Sequence, residues 1–372
     1  MEIFNFIIPF LVLISVVVFI HEFGHYYFAK KYGVGVTDFS IGFGKELFGF
    51  NDKSGTRWKF CLIPLGGYVK FFGDRNVFSE SEQQDVINKY SEEDKKKLFI
   101  LKPLYQRSII VAAGPLANFV LAIVVFSIIN MISGKDVTPA VISEVQEDSP
   151  AFISGLKKND RIIAIDRKEV TSILEVSTFI NVSTKDEIEF LILRNDEEST
   201  ILVKPNLVDG KDAFGNSVKK RMIGIRLSPP HNKEFEKKPL GPTSAIYYSV
   251  KEVWFVTITS LNYMGKMITG SADTSQLGGP IRIAKITGQI SEYGIIPFFS
   301  ILAYISISLG LINLFPIPML DGGHLMFYFF EKILGKPLSQ KVQEGFFRIG
   351  LFLLFSLMFF VTFNDLKDLG LF

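Results

Sequence analysis

Apolar residues form long uncharged runs near both ends of the chain and short alternating runs in its middle. No charge occurs from Ile3 to Ile20, from Ser108 to Ser133, or from Gly294 to Leu320. About 20 apolar residues suffice to cross a hydrocarbon core as a helix, so each run predicts a membrane span. A fourth span is predicted over about 346–363: Ile349 to Phe363 is uncharged, and Phe346, Phe347 and a snorkelling Arg348 extend it to spanning length. The third run is interrupted near its end by Asn313, Pro316 and Pro318. The first could be read as a signal peptide, but Glu2 precedes it and His-Glu closes it, without a basic leader or a small-residue cleavage site; it reads as a retained span.

Between spans two and three the period changes. From Pro139 to Val208, strand-like runs (AVISEV, RIIAI, EIEFLIL, STILV) alternate with turns and one helical stretch, Leu174 to Ile180, predicting a small mostly-β domain. Residues 209–240 are rich in glycine, proline and charge and read as linker, with His231 solvated inside it. Val253 to Gly265 is apolar but too short to span, which predicts an amphipathic helix along the membrane surface. The expected division is 1–134 for an N-terminal membrane core, 138–208 for the inserted domain, 209–293 for linker and surface helix, and 294–372 for a C-terminal membrane core. Lys30, Lys31, Lys102 and Arg107 flank the first connection, and Lys332, Lys336 and Lys341 lie in the last. The positive-inside rule makes both cytoplasmic and puts the inserted domain outside.

Composition agrees with a chain partly in lipid: 48% of its 372 residues are hydrophobic, including 37 phenylalanines. A net charge of +2, with no basic run interleaved with aromatics, argues against nucleic acid as a partner. The single cysteine, Cys61, excludes an intramolecular disulfide and reads as a packing residue. A zinc site would have to come from His, Asp and Glu.

The sharpest local pattern is His21-Glu22-Phe23-Gly24-His25, at the end of the first span. Residues four apart share a helical face, so both imidazoles can meet one metal with Glu22 beside them as proton acceptor. The plainer alternative is a helix end with two interfacial histidines, but ionisable groups at membrane depth are costly and usually functional. A catalytic zinc needs a third protein ligand and an open position. Asp321 is the best candidate, in Asn313-Leu-Phe-Pro-Ile-Pro-Met-Leu-Asp321-Gly-Gly-His324, because broken helix at membrane depth must be buried in protein or line a wet cavity. Its alternative role is a helix cap. His324 shares the face, yet a fourth protein ligand would tend to close the site.

These two motifs, with Ser40-Ile-Gly-Phe-Gly44, Ile63 to Phe72, Ala113-Gly-Pro-Leu-Ala-Asn118 and Ser149 to Leu156, resemble the site-two protease family of intramembrane metalloproteases, in its bacterial RseP-type branch. The resemblance covers most of the chain. It implies a polytopic α-helical membrane protein with about four transmembrane helices, a cytoplasmic-side membrane-associated β-hairpin region and one inserted extracytoplasmic PDZ domain of α+β type. It implies one Zn2+ per chain held by His21, His25 and Asp321, Glu22 as catalytic glutamate, and Asn313 on the substrate or reacting carbonyl. Gly66, Gly67, Tyr68 and Val69 would form a strand edge for an unwound substrate, and Asn118 is a further substrate-contact candidate. Implied partners are the lipid bilayer, single-span membrane protein substrates (anti-sigma-factor-like regulators or remnant signal peptides), and peptide C-termini at a PDZ groove whose expected open edge is Ala140 to Val145. The implied location is the bacterial cytoplasmic membrane. Some members of the branch carry two such domains, and this sequence has one. The rival readings are a membrane-anchored PDZ adaptor with a vestigial metal site, and a metal transporter, for which no repeated half is visible.

Overall fold

The structure, a computed structural model, describes residues 2–73, 90–136, 138–183, 185–211, 217–229, 237–269 and 278–368; His231 lies outside them. It divides into two compact units, Met1–Val125 with Gly278–Phe372, and Phe126–Leu277. Eight longer helices recur below: α1 (Glu2–Lys31), α2 (Leu104–Ile132), α3 (Ile173–Val182), α4 (Pro242–Ile268), α5 (Pro280–Glu292), α6 (Ile295–Asn313), α7 (Asp321–Leu334) and α8 (Gln340–Asp368).

Among the described residues, four helical segments are long and apolar enough to cross a membrane: Phe6–Lys31, Leu104–Ile132, Ile295–Asn313 and Lys341–Lys367. They correspond to the four predicted runs. The first helix carries the histidine motif, as the helical spacing of His21 and His25 requires, and runs on to Lys31. The third stops at Asn313, ahead of the prolines that interrupt its apolar run. Pro316 and Pro318 offer no N–H to the preceding turn and disfavour helical geometry in the residues before them, so 314–320 is irregular until α7 begins. Met319, with φ 87°, makes the reversal in a left-handed conformation unusual for a side chain of its size. Large apolar side chains on α8, among them Phe352, Phe355 and Phe359, are more than half exposed, as a lipid-facing surface requires.

In the first unit a bent hairpin, β1 (Val36–Asn51) and β2 (Arg57–Phe71), packs on α1. Asp38 to Ile41 pairs with Lys70 to Gly67 on one side and Arg57 to Phe60 on the other. Among the described residues, 67–71 has strand partners only in β1, so no strand covers its second edge. Aromatic rings fasten the hairpin to the helix. Phe39 stacks on Trp58 with centroids 4.2 Å apart, and Tyr26 of α1 meets Trp58 edge-on at 5.2 Å. Asp52 organises the turn between the strands. Its carboxylate accepts from the Tyr26 hydroxyl (2.8 Å), the Ser54 amide and hydroxyl (2.8 and 2.7 Å), the Thr56 amide (2.9 Å) and the Trp58 indole (3.1 Å).

At the other end, buried Asp365 of α8 accepts from the backbone amides of Gly279 (2.7 Å), Ile281 (3.0 Å) and Arg282 (3.2 Å), satisfying otherwise orphaned donors of the first turn of α5. Helix α5 packs along α1, where Gly288 lies against Phe6 with no room for a Cβ.

The second unit holds a sheet in the spatial order Ile225–Ser228, Val141–Val145, Arg161–Ile165, Ile188–Arg194, Glu197–Val203, over a core that includes Ile142, Ile162, Ile188, Phe190 and Ile192. Helix α3 supplies Val176 and Ile180 to that core. Arg194 makes a two-pronged ion pair with the buried Asp160, both N–O distances being 2.7 Å. Three expectations are corrected here. The stretch 209–240 is not only linker: Asn206–Lys211 pairs with Ser217–Met222, and Ile225–Ser228 joins the main sheet. As a result the domain does not close at residue 208, and Ala140 to Val145 is not an open edge, because Val141–Val145 is flanked by Ile225–Ser228 and Arg161–Ile165. The returning strand was concealed by its brevity and by the cations around it. The helix expected over Val253 to Gly265 is the middle of α4, 27 residues long and not among the four membrane-length apolar helices.

Asp52 yields a prediction. Burial raises its carboxyl pKa, but the bonds from Ser54, Trp58, Thr56 and Tyr26 outweigh that and hold it below the ordinary range. A depressed carboxyl contributes stability that is present above the unfolded pKa of about 3.9 and is lost as pH falls through the folded value. Hairpin docking should therefore persist through mildly acidic pH and fail only below the usual carboxylate range. Asp52→Ala should speed hydrogen exchange across 57–71 at neutral pH, at a cost of roughly 1–3 kcal/mol for the donors left unpaired.

Candidate active site

His21 and His25 stand one turn apart on α1, with their Nε2 atoms 3.3 Å from each other. Asp321, the first residue of α7, places Oδ2 3.1 Å from His21 Nε2 and 3.5 Å from His25 Nε2. These three atoms form a nearly equilateral triangle. Nitrogen and oxygen ligands sit about 2.0–2.1 Å from a tetrahedral zinc, which separates any two of them by about 3.3–3.4 Å. The triangle thus already has the size that an ion would fill. Asp321 Oδ2 is enclosed and accepts no well-formed hydrogen bond, a costly state for a buried carboxylate that lacks a cation. It makes no cap either: the residue before α7 is Leu320, with no side-chain capping bond at that terminus.

Protonation of His25 follows from its second contact. Its Nδ1 lies 2.9 Å from the backbone oxygen of Ile110 on α2, and a carbonyl can only accept. Nδ1 therefore carries the proton, and in the neutral ring Nε2 turns a lone pair into the triangle. His21 Nδ1 faces the side-chain amide of Asn118, also on α2, at 3.3 Å.

The close approach of α1 and α2 depends on two glycines. A Cβ on Gly24 would strike the Ala113 carbonyl and come within 3.0 Å of the Ala117 methyl, and one on Gly114 would overlap the His25 imidazole. Gly24, inside the histidine motif, is thus a packing requirement. Asp321 is delivered in a similar way, since Gly322 and Gly323 lie against the carbonyls of Leu314, Phe315 and Ile317, where no side chain fits.

The triangle opens on a cavity of about 860 Å³ whose lining also includes Glu22, Asn313 and the segment Gly66 to Val69. The Val69 backbone amide bonds the Glu22 carboxylate, and a Cβ on Gly67 would come within 3.0 Å of Glu22 Cγ. So the uncovered edge of β2 and the candidate base face the same space. Asn313 enters it from the last turn of α6, immediately before the break. His324 lines the cavity but is not part of the ligand triangle. Asn118 does not line it; its side chain is fully buried among helices. The remaining wall carries a pair that sequence reasoning missed: Arg107 of α2 meets both carboxylate oxygens of Glu331 on α7, at 3.3 and 2.5 Å, and lies over the Tyr328 ring. Nothing in the sequence relates two ordinary charges 224 positions apart.

A His-His-carboxylate triangle beside a glutamate, carried on helices of membrane-crossing length, is a metallopeptidase type of site. Comparison with known proteins agrees: residues 9–357 match the profile of peptidase family M50, and the chain belongs to that family, the site-two proteases. A relative in Agrobacterium fabrum, assigned as a zinc metalloprotease, is 41% identical over 365 residues, covering 98% of this chain and 96% of its own length. Metalloprotease MmpA of Caulobacter vibrioides is 34% identical over 387 residues, covering 98% and 96%. Among solved structures, the PDZ domain of an SdrC-like protein from Listeria monocytogenes matches 24% of this chain and 87% of its own, at 23% identity and a TM-score of 0.20.

The glycine contacts lead to a second prediction. Gly114→Val should displace His25 and lose most of the bound zinc, with an overpacking penalty of about 1–3 kcal/mol. Gly265→Ala, where a Cβ meets open space, should retain it. Metal analysis of the purified proteins checks both.

Proposed function

We propose that this chain is an intramembrane zinc endopeptidase that hydrolyses a peptide bond in the transmembrane segment of single-span membrane proteins. The observation that carries the reading is the coincidence, in one cavity, of a zinc-sized His21-His25-Asp321 triangle, the Glu22 carboxylate and a strand edge that no other strand covers. Zinc bound at the triangle would supply a Lewis acid that acidifies water and polarises the scissile carbonyl. Glu22 accepts the proton as water attacks that carbonyl, then returns it to the amine that leaves when the C–N bond breaks. The Asn313 amide, at the broken end of α6 and in the wall of the same cavity, would donate to the carbonyl oxygen.

A transmembrane helix hides its amides in its own hydrogen bonds, so it must unwind before it can be cut. The edge Gly66 to Val69 offers main-chain groups to the unwound segment, pairing it as an added strand along the cavity. Recognition by backbone favours substrates with helix-weakening residues over any strict sequence, which suits anti-sigma-factor-like regulators and remnant signal peptides. The inserted domain is read as a single PDZ module on the far side of a bacterial cytoplasmic membrane, with the site toward the cytoplasm.

The test uses full-length protein in detergent with a truncated single-span substrate. Glu22→Gln should bind zinc as the wild type does while cleavage falls by roughly 10²-fold or more. Cleavage surviving in that variant would remove Glu22 as the base. A wild-type protein that holds no zinc and does not cut would instead favour the adaptor reading.

A further inference from the structure

We propose that Asn118 is a positioning residue for the metal site: its side-chain oxygen accepts the Nδ1 proton of His21 and so holds the His21 Nε2 lone pair on the ion. The inference rests on the zinc reading above. It assigns Asn118 a role different from the substrate contact that its sequence motif implied.

A neutral imidazole carries one proton, and a ring that ligates through Nε2 must keep it on Nδ1. For His25 the acceptor of that proton is the Ile110 carbonyl. For His21 the group facing Nδ1 is the Asn118 amide, 3.3 Å away. The two ends of a primary amide have the same shape, so this contact can be made by either end. With the amino end toward Nδ1, the ring proton would have to sit on Nε2, pointing at the triangle, and His21 could not ligate. That orientation also leaves Asn118 Oδ1 buried with no hydrogen-bond partner. With the oxygen toward Nδ1, the proton is accepted and the lone pair faces Asp321.

The setting of Asn118 supports a fixed role. Its side chain is fully buried and does not reach the cavity where a substrate would lie. Its backbone oxygen accepts from Ser306 Oγ of α6 at 2.9 Å, and Gly310 of the same helix passes so close that a Cβ there would lie 3.2 Å from the Asn118 Cβ. Three helices therefore lock this residue. Ile110, Gly114 and Asn118 recur every four positions on one face of α2, so a single stripe supplies the His25 acceptor, the space for its ring and the His21 acceptor. Partners of this kind behind metal-bound histidines typically change metal affinity by 10–100-fold when removed.

Zinc affinity of the full-length protein in detergent, by competition with a chromophoric chelator, tests this without relying on activity. Asn118→Leu, close in volume but unable to accept, should weaken zinc binding about 10–100-fold. Asn118→Ser, too short to reach the ring and free of overpacking, should do the same, which guards against a folding defect in the leucine variant. Asn118→Asp, whose carboxylate oxygen also accepts, should stay within a few-fold of wild type. Unchanged affinity in the leucine and serine variants would overturn the proposal, as would an aspartate variant as weak as they are. A raised KM with unchanged zinc affinity would return Asn118 to the substrate. In either case wild-type protein that still binds zinc and depends on Glu22 leaves the protease reading standing.

Discussion

Three ligand atoms must converge within a few tenths of an ångström, and they arrive on two helices almost 300 residues apart in the chain. Helix α1 solves part of this alone, because one turn sets His21 and His25 on a common face. The rest of the arrangement brings Asp321 to that face and sets a second contact behind each ring. The small-residue stripe on α2 lets α1 come close enough for Ile110 and Asn118 to reach the imidazoles. The proline break after Asn313 ends α6 early and turns the chain so that α7 starts with its carboxylate aimed inward. The glycines after Asp321 allow that turn to fold against its own carbonyls.

The same constraint explains the hairpin. The cavity beside the metal-ligand triangle is walled by helices and by the hairpin segment Gly66 to Val69, which on the proposed reading is the part that would pair with a peptide. Asp52 and the Phe39-Trp58-Tyr26 cluster fix the hairpin to the helix that carries the histidines. Glu22 is then held between the metal triangle and the Val69 amide. Metal site, base and strand edge all depend on α1, which places them without needing loops of their own.

Much of this was legible in the residues. His21, Glu22, His25 and Asp321 followed from spacing and from the cost of polar groups at membrane depth, because such groups are rare enough there to be conspicuous. The four spans followed from apolar runs, although helix outlasts hydrophobicity as far as Lys31 and proline ends it early at Asn313. What escaped was set by tertiary contact. The closing strand Ile225–Ser228 is too short and too charged in its surroundings to announce itself, and it covers the edge expected to be open. Arg107 and Glu331 carry no local pattern. Asn118 was noticed for its motif, but only the fold shows that its amide is buried against the His21 ring.

The most direct measurement is X-ray absorption at the zinc edge on the purified protein, compared with Asp321→Ala. The account predicts a shell of light ligands at about 2.0–2.1 Å with the multiple-scattering signature of two imidazoles and no sulfur, and loss of one oxygen scatterer or of the metal in the variant. A spectrum of three or more imidazoles, or one unchanged in Asp321→Ala, would mean that the broken helix does not complete the site.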